Sequence, residues 1–426
     1  MTSCMFSKKG KQFTELIVGI DIGSTAIRVA VGQPTMGMDG REEVQIIGLV
    51  EVPSEGIQKG AISSIEETVS ALSNALEEIE RLIGVPIEHA WIGISGIHIL
   101  SQQSKGVVAV AKSDGEISTE DVDRAIDAAK TVAVPLNYEI LHVIPRTFHV
   151  DSQTGIQDPV GMTGIRLEVD TQIIYGLTAH MKNITKAVYR TGIDIDDLVL
   201  SILATGEIVT TPRQRELGAS VVNIGSSTTS IVVYEGGDIV ETSVLPLGSE
   251  HVTNDIALLL KTTIDIAEKI KMEYGSCVAK DVNKKQKIDL MDFGSERGEL
   301  VSLYYIAEII EDRMAEILSQ VNQKLAQVHC DGRLPAGVIF SGGGAKIHGL
   351  VPLAKEIMQL PASLGYPLFI TSGHARVNDV AFTASVGLVA WGSRLYHQGA
   401  RASRSPLKHA GKVLKSLQGI WKSLMP

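Results

Sequence analysis

The chain has 426 residues, 44% of them apolar, which predicts a globular protein of two to four domains with a large core. A formal net charge of −10 argues against general nucleic-acid binding, and no apolar run reaches the roughly 20 residues that a bilayer-spanning helix needs. Cys4, Cys277 and Cys330 lack metal spacing and fit a reducing compartment, and MTSCMFSKKGKQF lacks the apolar segment of a secretory signal, so a cytoplasmic protein is expected.

Residues 1–14 read as a flexible leader. The next stretch, Leu16 to Val31, is LIVGIDIGSTAIRVAV: an apolar run reaching Asp21, a tight turn, and a second apolar run. This pattern predicts two buried strands joined by a turn, and alone it could be a plain β-hairpin. The pattern returns from Ser220 to Tyr234 as SVVNIGSSTTSIVVY, with Asp21, Ile22, Gly23 and Ser24 matching Asn223, Ile224, Gly225 and Ser226 at one offset. The repetition predicts a duplicated pair of α/β domains holding something between the two turns. Such turns present backbone N–H groups and hydroxyls to an anion, and a carboxylate at a strand end can hold the water shell of magnesium. A nucleotide polyphosphate is the natural ligand.

Between the hairpins, Gln33–Glu43 reads as an exposed loop before a strand over Val44–Val50. Apolar residues at 65, 69, 72, 76, 79 and 83 predict an amphipathic helix over Ile62–Ile83. Residues 86–165 change character, with short strands around a helix opened by Ser118 and Asp121, a capping-box pair, and read as an inserted subdomain. A helix is expected over Met181–Gly192, another over His251–Tyr274, and a long one over Glu299–Val328. A strand over Gly337–Phe340 runs into Ser341-Gly342-Gly343-Gly344-Ala345, whose glycines would let backbone approach a purine or its ribose. The expected division is 15–85 with 166–206 as a first core, 207–261 with 336–395 as a second, and 262–335 as a second insertion.

Other polar residues carry less. Glu268 and Lys271 share a helix face and suit either a solvated ion pair or a ribose contact. His142, His149 and His348 lack a partnered nucleophile or metal spacing and read as structural, and Asp194, Asp196 and Asp197 read as a solvated turn.

After Asp379 no Asp or Glu occurs, while seven Lys and Arg residues follow, so the rest of the chain carries −10 − 7 = −17. Residues 396–407 read as a basic linker and 408–426 as an amphipathic helix. At 100° per residue, Val413, Leu414, Leu417, Ile420, Trp421 and Leu424 share an arc of about 120°, with Lys408, Lys412, Lys415 and Lys422 opposite. That arrangement suits a helix lying in the plane of an anionic membrane, or one docking on a protein. A single anchor of this kind is reversible, so stable attachment predicts self-association.

The DIGST turn, the segment GIQDPVGMTGIRLEV, the IGSSTT turn, AEKIK, IAEIIEDRMAEI, SGGGAKIHGL and FTASVGLVAWG together resemble the FtsA family of bacterial cell-division proteins, over about Leu16 to Trp391. The resemblance implies an actin-like (ribonuclease-H-like) fold, with duplicated domains around a nucleotide cleft and an inserted α+β subdomain in each half. It implies that Gly23, Ser24 and Thr25 form a first phosphate loop and Gly225, Ser226, Ser227 and Thr228 a second. Gly342, Gly343, Gly344 and Ala345 would form an adenosine motif, and Glu268 and Lys271 a ribose-side pair, with ATP and Mg2+ as cofactors. It further implies polymerisation at the cytoplasmic membrane of the division site, contact with FtsZ through Arg313 and Glu316, and binding of later division proteins by the inserted subdomain. Alternative readings are a PilM-like pilus-assembly scaffold, or an active actin-fold ATPase or sugar kinase. Departures from the family pattern are Asn223 and Ser230 for carboxylates, Ser226-Ser227 for glycines and Ala26 for a lysine. Losing carboxylates that would organise magnesium and water harms hydrolysis more than binding, so ATP binding with slow or absent turnover is expected, with Asp21 the magnesium residue and Asn223 a weakened counterpart.

Overall fold

The computed structural model describes residues 16–36, 42–131, 134–296 and 298–402. The leader and the 408–426 helix, with its apolar and lysine faces, lie outside the described residues.

The first unit begins with β1 (Ile17–Ile22), β2 (Ala26–Met36) and β3 (Glu42–Pro53), then a small hairpin, β4 (Ile57–Gln58) and β5 (Ala61–Ile62). Helix α1 (Ile65–Ile83) starts where the Ser64 hydroxyl accepts the Glu67 amide and stops at Gly84, whose φ of 73° is the left-handed conformation that glycine adopts freely. The next strand, β6 (His89–Ile94), precedes a separate layer made of β7 (Ile99–Ala109), α2 (Thr119–Ala129), β8 (Tyr138–Val150), β9 (Gln153–Ile156) and β10 (Arg166–Leu177). The chain then returns through α3 (Thr178–Arg190), β11 (Asp194–Leu200), α4 (Ser201–Val209) and α5 (Pro212–Leu217).

The second unit repeats the first. It holds β12 (Ala219–Ile224), β13 (Thr229–Glu235), β14 (Asp238–Leu245), α6 (Ser249–Leu259), α7 (Ile264–Tyr274), β15 (Lys287–Asp289), β16 (Leu300–Ser302) and α8 (Leu303–Gln327). The chain closes with β17 (Val338–Ser341), α9 (Leu350–Met358), β18 (Ala362–Leu364), β19 (Ile370–Ser372) and α10 (Thr383–Ala402). The first sheet runs β11-β6-β1-β2-β3-β19 and the second β18-β17-β12-β13-β14. In each, a three-strand antiparallel meander joins two parallel strands, so five positions correspond one to one. Among the described residues, β19 alone of the two large sheets breaks the repeat: a strand from the C-terminal part of the chain adds to the free edge of β3 and ties the units together.

Several sequence expectations need correction. The inserted layer starts after β6, which lies in the first sheet, and includes all of β10, so its natural bounds fall near 95 and 177, not 86 and 165. The expected helix over 251–274 is two helices, because Lys261 takes a left-handed φ of 50° and the Thr263 hydroxyl then caps α7 by accepting the Ile266 amide. The expected 33–43 loop is strand at both ends, since β2 runs to Met36 and β3 starts at Glu42. Helix α10 continues to Ala402, so the first seven residues of the expected linker are helical.

Helices α4 and α10 join the units and cross closely, since a Cβ on Gly387 would lie 2.4 Å from the Ala204 carbonyl oxygen. One apolar core spans the first unit and the α4-facing side of the second sheet, including Val221, Val232 and Tyr234. The inserted sheet packs one face on α2, where a Cβ on Gly106 would fall 1.9 Å from the Ala125 carbonyl oxygen. At its root it enters the first-unit core through Ile99, Ile144 and Ile174.

The inserted layer also reaches the second unit. Ser101 Oγ donates to the Thr242 carbonyl oxygen at 2.7 Å, and Thr147 Oγ1 to Asp238 Oδ2 at 3.3 Å. Burial at this contact outweighs the attraction of Arg146 and the Thr147 bond and raises the Asp238 carboxyl to about 6. The folded chain therefore holds that proton more tightly than the unfolded one, and its stabilising effect is present below pH 3.8 and lost as pH rises through about 6. Asp238→Asn, which stays neutral, is expected to raise the melting temperature by about 1–3 °C at pH 7.5 and leave it unchanged at pH 3.5. Calorimetry at both pH values checks this, and an equal shift at both would contradict it.

Candidate functional site

The two hairpins build the site by the same local geometry. The Gly23 amide donates to the Ala26 carbonyl oxygen at 3.1 Å, and the Gly225 amide to the Thr228 carbonyl oxygen at 2.9 Å. A Cβ on either glycine would press on that same oxygen, at 2.7 Å and 2.9 Å respectively, so neither turn admits a side chain there without shifting. Across the strands, Asp21 pairs with Arg28 and Asn223 with Ser230. The third turn follows β17. Gly342 has φ 87°, and a Cβ on it would meet Asn223 Oδ1 and the Ile224 carbonyl oxygen at 2.5 Å, whereas one on Gly343 would meet open space.

A cleft of about 620 Å³ between the units is lined by all three turns. Asp21, Gly23, Ser24, Thr25, Asn223, Gly225, Ser226, Ser227, Thr228, Glu268, Lys271, Gly342, Gly343 and Gly344 all reach its wall. Ala345 does not: it is buried in the second-unit core. Lys271 lines the wall, but its ammonium is taken up by Thr253 Oγ1 at 2.8 Å, the Ser249 carbonyl oxygen at 3.3 Å and Glu268 at 2.6 Å. It ties α7 to α6 and leaves Glu268, half exposed, as the group of the pair that can reach a ligand. The hydroxyls of Ser227 and Ser226 donate to Glu250, at 2.5 and 3.3 Å, so the second loop offers a ligand its backbone first.

Sequence reasoning missed much of the cleft's charge. The lack of a lysine at position 26 does not leave the first loop without a cation, because Arg28 and Arg376 both line the cleft. Arg28 Nε lies 2.8 Å from Glu51, Arg376 Nη2 lies 3.9 Å from the same carboxylate, and both guanidiniums sit by the Phe382 ring. Lys346 beside the third turn pairs with Asp379 at 2.9 Å. A charge at position 28 inside an apolar strand was the one available sign. Ser201 left none, since it comes from 180 residues away to donate to Asp21 Oδ1 at 2.9 Å.

Burial raises the Asp21 carboxyl above its ordinary range despite the opposing pull of Arg28 and the Ser201 bond. Its negative charge is thus incompletely compensated in the protein, an environment that favours an added cation. Ser230 Oγ is held 2.9 Å from Ser95 Oγ, a neutral bridge between the units. His348 lines the cleft, whereas His142 accepts the Leu200 amide at 3.0 Å and His149 pairs with Asp170 at 3.0 Å. Arg313 and Glu316 lie away from the cleft, where Arg313 grips Asp255 of α6 at 2.6 and 3.0 Å and also bonds Glu316.

Two like-folded units around such a cleft define an actin-like protein, and solved structures agree on the fold. A PilM-PilN type IV pilus biogenesis complex matches with a TM-score of 0.64 at 15% identity, over 88% of this chain and 98% of that one. MreB5 of Spiroplasma citri bound to ADP matches with a TM-score of 0.53 at 12% identity, over 91% and 99%. The sequence model described as "Cell division protein FtsA" matches residues 220–387, and that of the "SHS2 domain inserted in FTSA" matches 96–175, the inserted layer. Cell division protein FtsA of Pseudomonas aeruginosa is 34% identical over 394 residues, covering 92% of this chain and 93% of that one. That of Bacillus subtilis is 35% identical over 380 residues, covering 89% and 84%. The chain belongs to the FtsA family of cell-division proteins.

Proposed function

We propose that this chain is an ATP-binding cell-division protein that assembles on the cytoplasmic face of the membrane at the division site and tethers FtsZ filaments there. The convergence of three glycine turns, Asp21 and the Arg28 cation on one cleft carries the reading. Its volume falls within the 300–1,000 Å³ typical of small-molecule sites. MreB5 of Spiroplasma citri, which shares this fold, is bound to ADP in one structure and to AMPPNP in another, which supports a nucleotide as the ligand.

The residues fit magnesium nucleotide. The Gly23 and Gly225 turns would cradle phosphates through backbone N–H groups, with Arg28 as the nearby cation. The open face of Gly343 would admit the nucleoside, and Glu268 would meet the ribose. Asp21 would hold the magnesium ion through water, and the bound ion would neutralise phosphate charge. Asn223 and Ser230 contribute no carboxylate, and the Ser230 hydroxyl is engaged by Ser95, so no base stands on the second hairpin to activate water. The nucleotide acts as a clamp between the units, with slow or absent turnover.

The basic amphipathic segment at 408–426 would anchor the assembly on anionic lipid. Arg313 and Glu316 would offer the helical face of α8 to FtsZ, and the inserted layer would receive later division proteins. Binding and turnover of radiolabelled ATP, measured on one sample of the wild type and of Asp21→Ala, test the cleft. Mg2+-dependent binding with no product above the Asp21→Ala background is expected. Turnover abolished by Asp21→Ala would overturn the clamp, and absence of binding would overturn the site.

A further inference from the structure

The nucleotide reading leaves unused the contacts between the inserted layer and the floor of the cleft. β11 is the edge strand of the first sheet, so amides on its outer side have no ladder partner. One of them, at Leu200, donates to His142 Nε2 at 3.0 Å. His142 belongs to β8 of the inserted sheet, where it pairs with Ile174 of β10. The residue is 4% exposed, and its ring lies 6.1 Å from the Trp391 ring on α10. Burial pushes the imidazole down to about 4, so it is neutral at physiological pH and Nε2 keeps its lone pair.

The next residue after Leu200 is Ser201, the first of α4, whose hydroxyl donates to Asp21 Oδ1 at 2.9 Å. Adjacent residues therefore carry one bond to the inserted layer, from the Leu200 amide, and one to the cleft carboxylate, from the Ser201 hydroxyl. The strand leading into the inserted layer carries a second link, because Ser95, just after β6, is bonded through its hydroxyl to Ser230 at 2.9 Å. The layer thus reaches the second hairpin through Ser95 at its entry and the first hairpin from β8 through Leu200 and Ser201.

We propose that His142 is a positioning residue for the cleft: through the Leu200 amide and the Ser201 hydroxyl it sets the orientation of the Asp21 carboxylate. A shift of the inserted layer that lengthens the His142–Leu200 bond moves the start of α4 and slackens Ser201 on Asp21. By linkage, a ligand that draws Asp21 into one orientation favours one placement of the inserted layer. A partner seated on that layer therefore changes the cleft's affinity for magnesium nucleotide, by the same factor that nucleotide changes the partner's affinity. This coupling rests on the cleft holding magnesium nucleotide, but its structural core does not.

The test uses the full chain with His142→Phe, which keeps an aromatic ring but loses the acceptor, His142→Gln, whose amide oxygen replaces Nε2, and Ser201→Ala. Without nucleotide, amide hydrogen exchange of His142→Phe is expected to rise about three- to tenfold at Leu200 and also across residues 19–25. His142→Gln is expected to restore both. A rise confined to Leu200 would overturn the proposal. With nucleotide, His142→Phe and Ser201→Ala should each weaken MgATP binding about three- to tenfold and combine non-additively, and His142→Phe should leave binding of ATP in excess chelator unchanged. Wild-type affinity in His142→Phe, or additive losses, would overturn it. Should His142→Phe not fold, Ser201→Ala decides: faster exchange across residues 139–144 supports the coupling, and unchanged exchange there contradicts it. If the wild type takes up no MgATP, the nucleotide reading fails and the exchange result alone decides the coupling.

Discussion

Gly342→Val is expected to lower ATP affinity by at least about a hundredfold, roughly 2.7 kcal/mol of binding free energy. Two costs act together. At φ 87° and ψ 168°, a conformation open essentially to glycine alone, a β-branched residue is strained by about 1–3 kcal/mol. Its Cβ would also lie 2.5 Å from Asn223 Oδ1 and the Ile224 carbonyl oxygen, so the third turn and the second hairpin must separate. Those two elements form the second unit's side of the cleft, and their separation misplaces backbone that a nucleotide would contact. Gly343→Ala makes a useful comparison, since its Cβ meets nothing within 4 Å and folding should tolerate it. Equilibrium binding with a fluorescent ATP analogue, read beside thermal melts, separates a local loss at Gly342→Val from unfolding. A Gly342→Val affinity within threefold of the wild type would remove the third turn from the site.

Much of this cleft was legible because its parts are short-range. The Gly23 and Gly225 turns each close on a residue three positions away, so strand, turn and strand are visible in one window. Their repetition at one offset forecast the duplicated sheets, and the matching strand orders bear out the actin-like fold. The features that escaped are long-range or conformational. Ser201, Glu51, Arg376 and Asp379 reach the cleft only through tertiary packing. The break between α6 and α7 depends on a left-handed lysine, Lys261, which no propensity marks. The inserted layer was legible as a change of character, but its edges were not. β6 and β10 are both apolar strands, and only their pairing partners assign one to the first sheet and the other to the insertion.

Ser226, Ser227 and Lys271 show a second limit of sequence reading. Residue types that suit phosphate or ribose also suit the protein's own needs, and here two hydroxyls serve Glu250 while an ammonium ties α7 to α6. Spacing can place such groups on the wall of a cleft without saying which way their polar atoms turn.

A chain ending at Ala402 is expected to lose anionic-liposome binding almost completely while keeping its fold. The cut lies after α10, whose described contacts with the first sheet and α4 all precede it, so the body is retained. It removes Lys408, Lys412, Lys415 and Lys422, each worth about 1 kcal/mol near an anionic surface, together with Trp421 and the apolar face around it. One such helix binds reversibly, and several side by side on an assembled body multiply its effect. Nucleotide that clamps the units and promotes assembly should therefore strengthen membrane binding without touching the lipid itself.

Co-sedimentation of the full chain and of the chain ending at Ala402, with and without MgATP, on anionic and neutral liposomes, tests the joined claim of clamp and tether most directly. Pelleting of the full chain alone, strongest with MgATP on anionic lipid, is the predicted result. A full chain that stays in the supernatant on anionic lipid, or a truncated one that pellets equally, would contradict it.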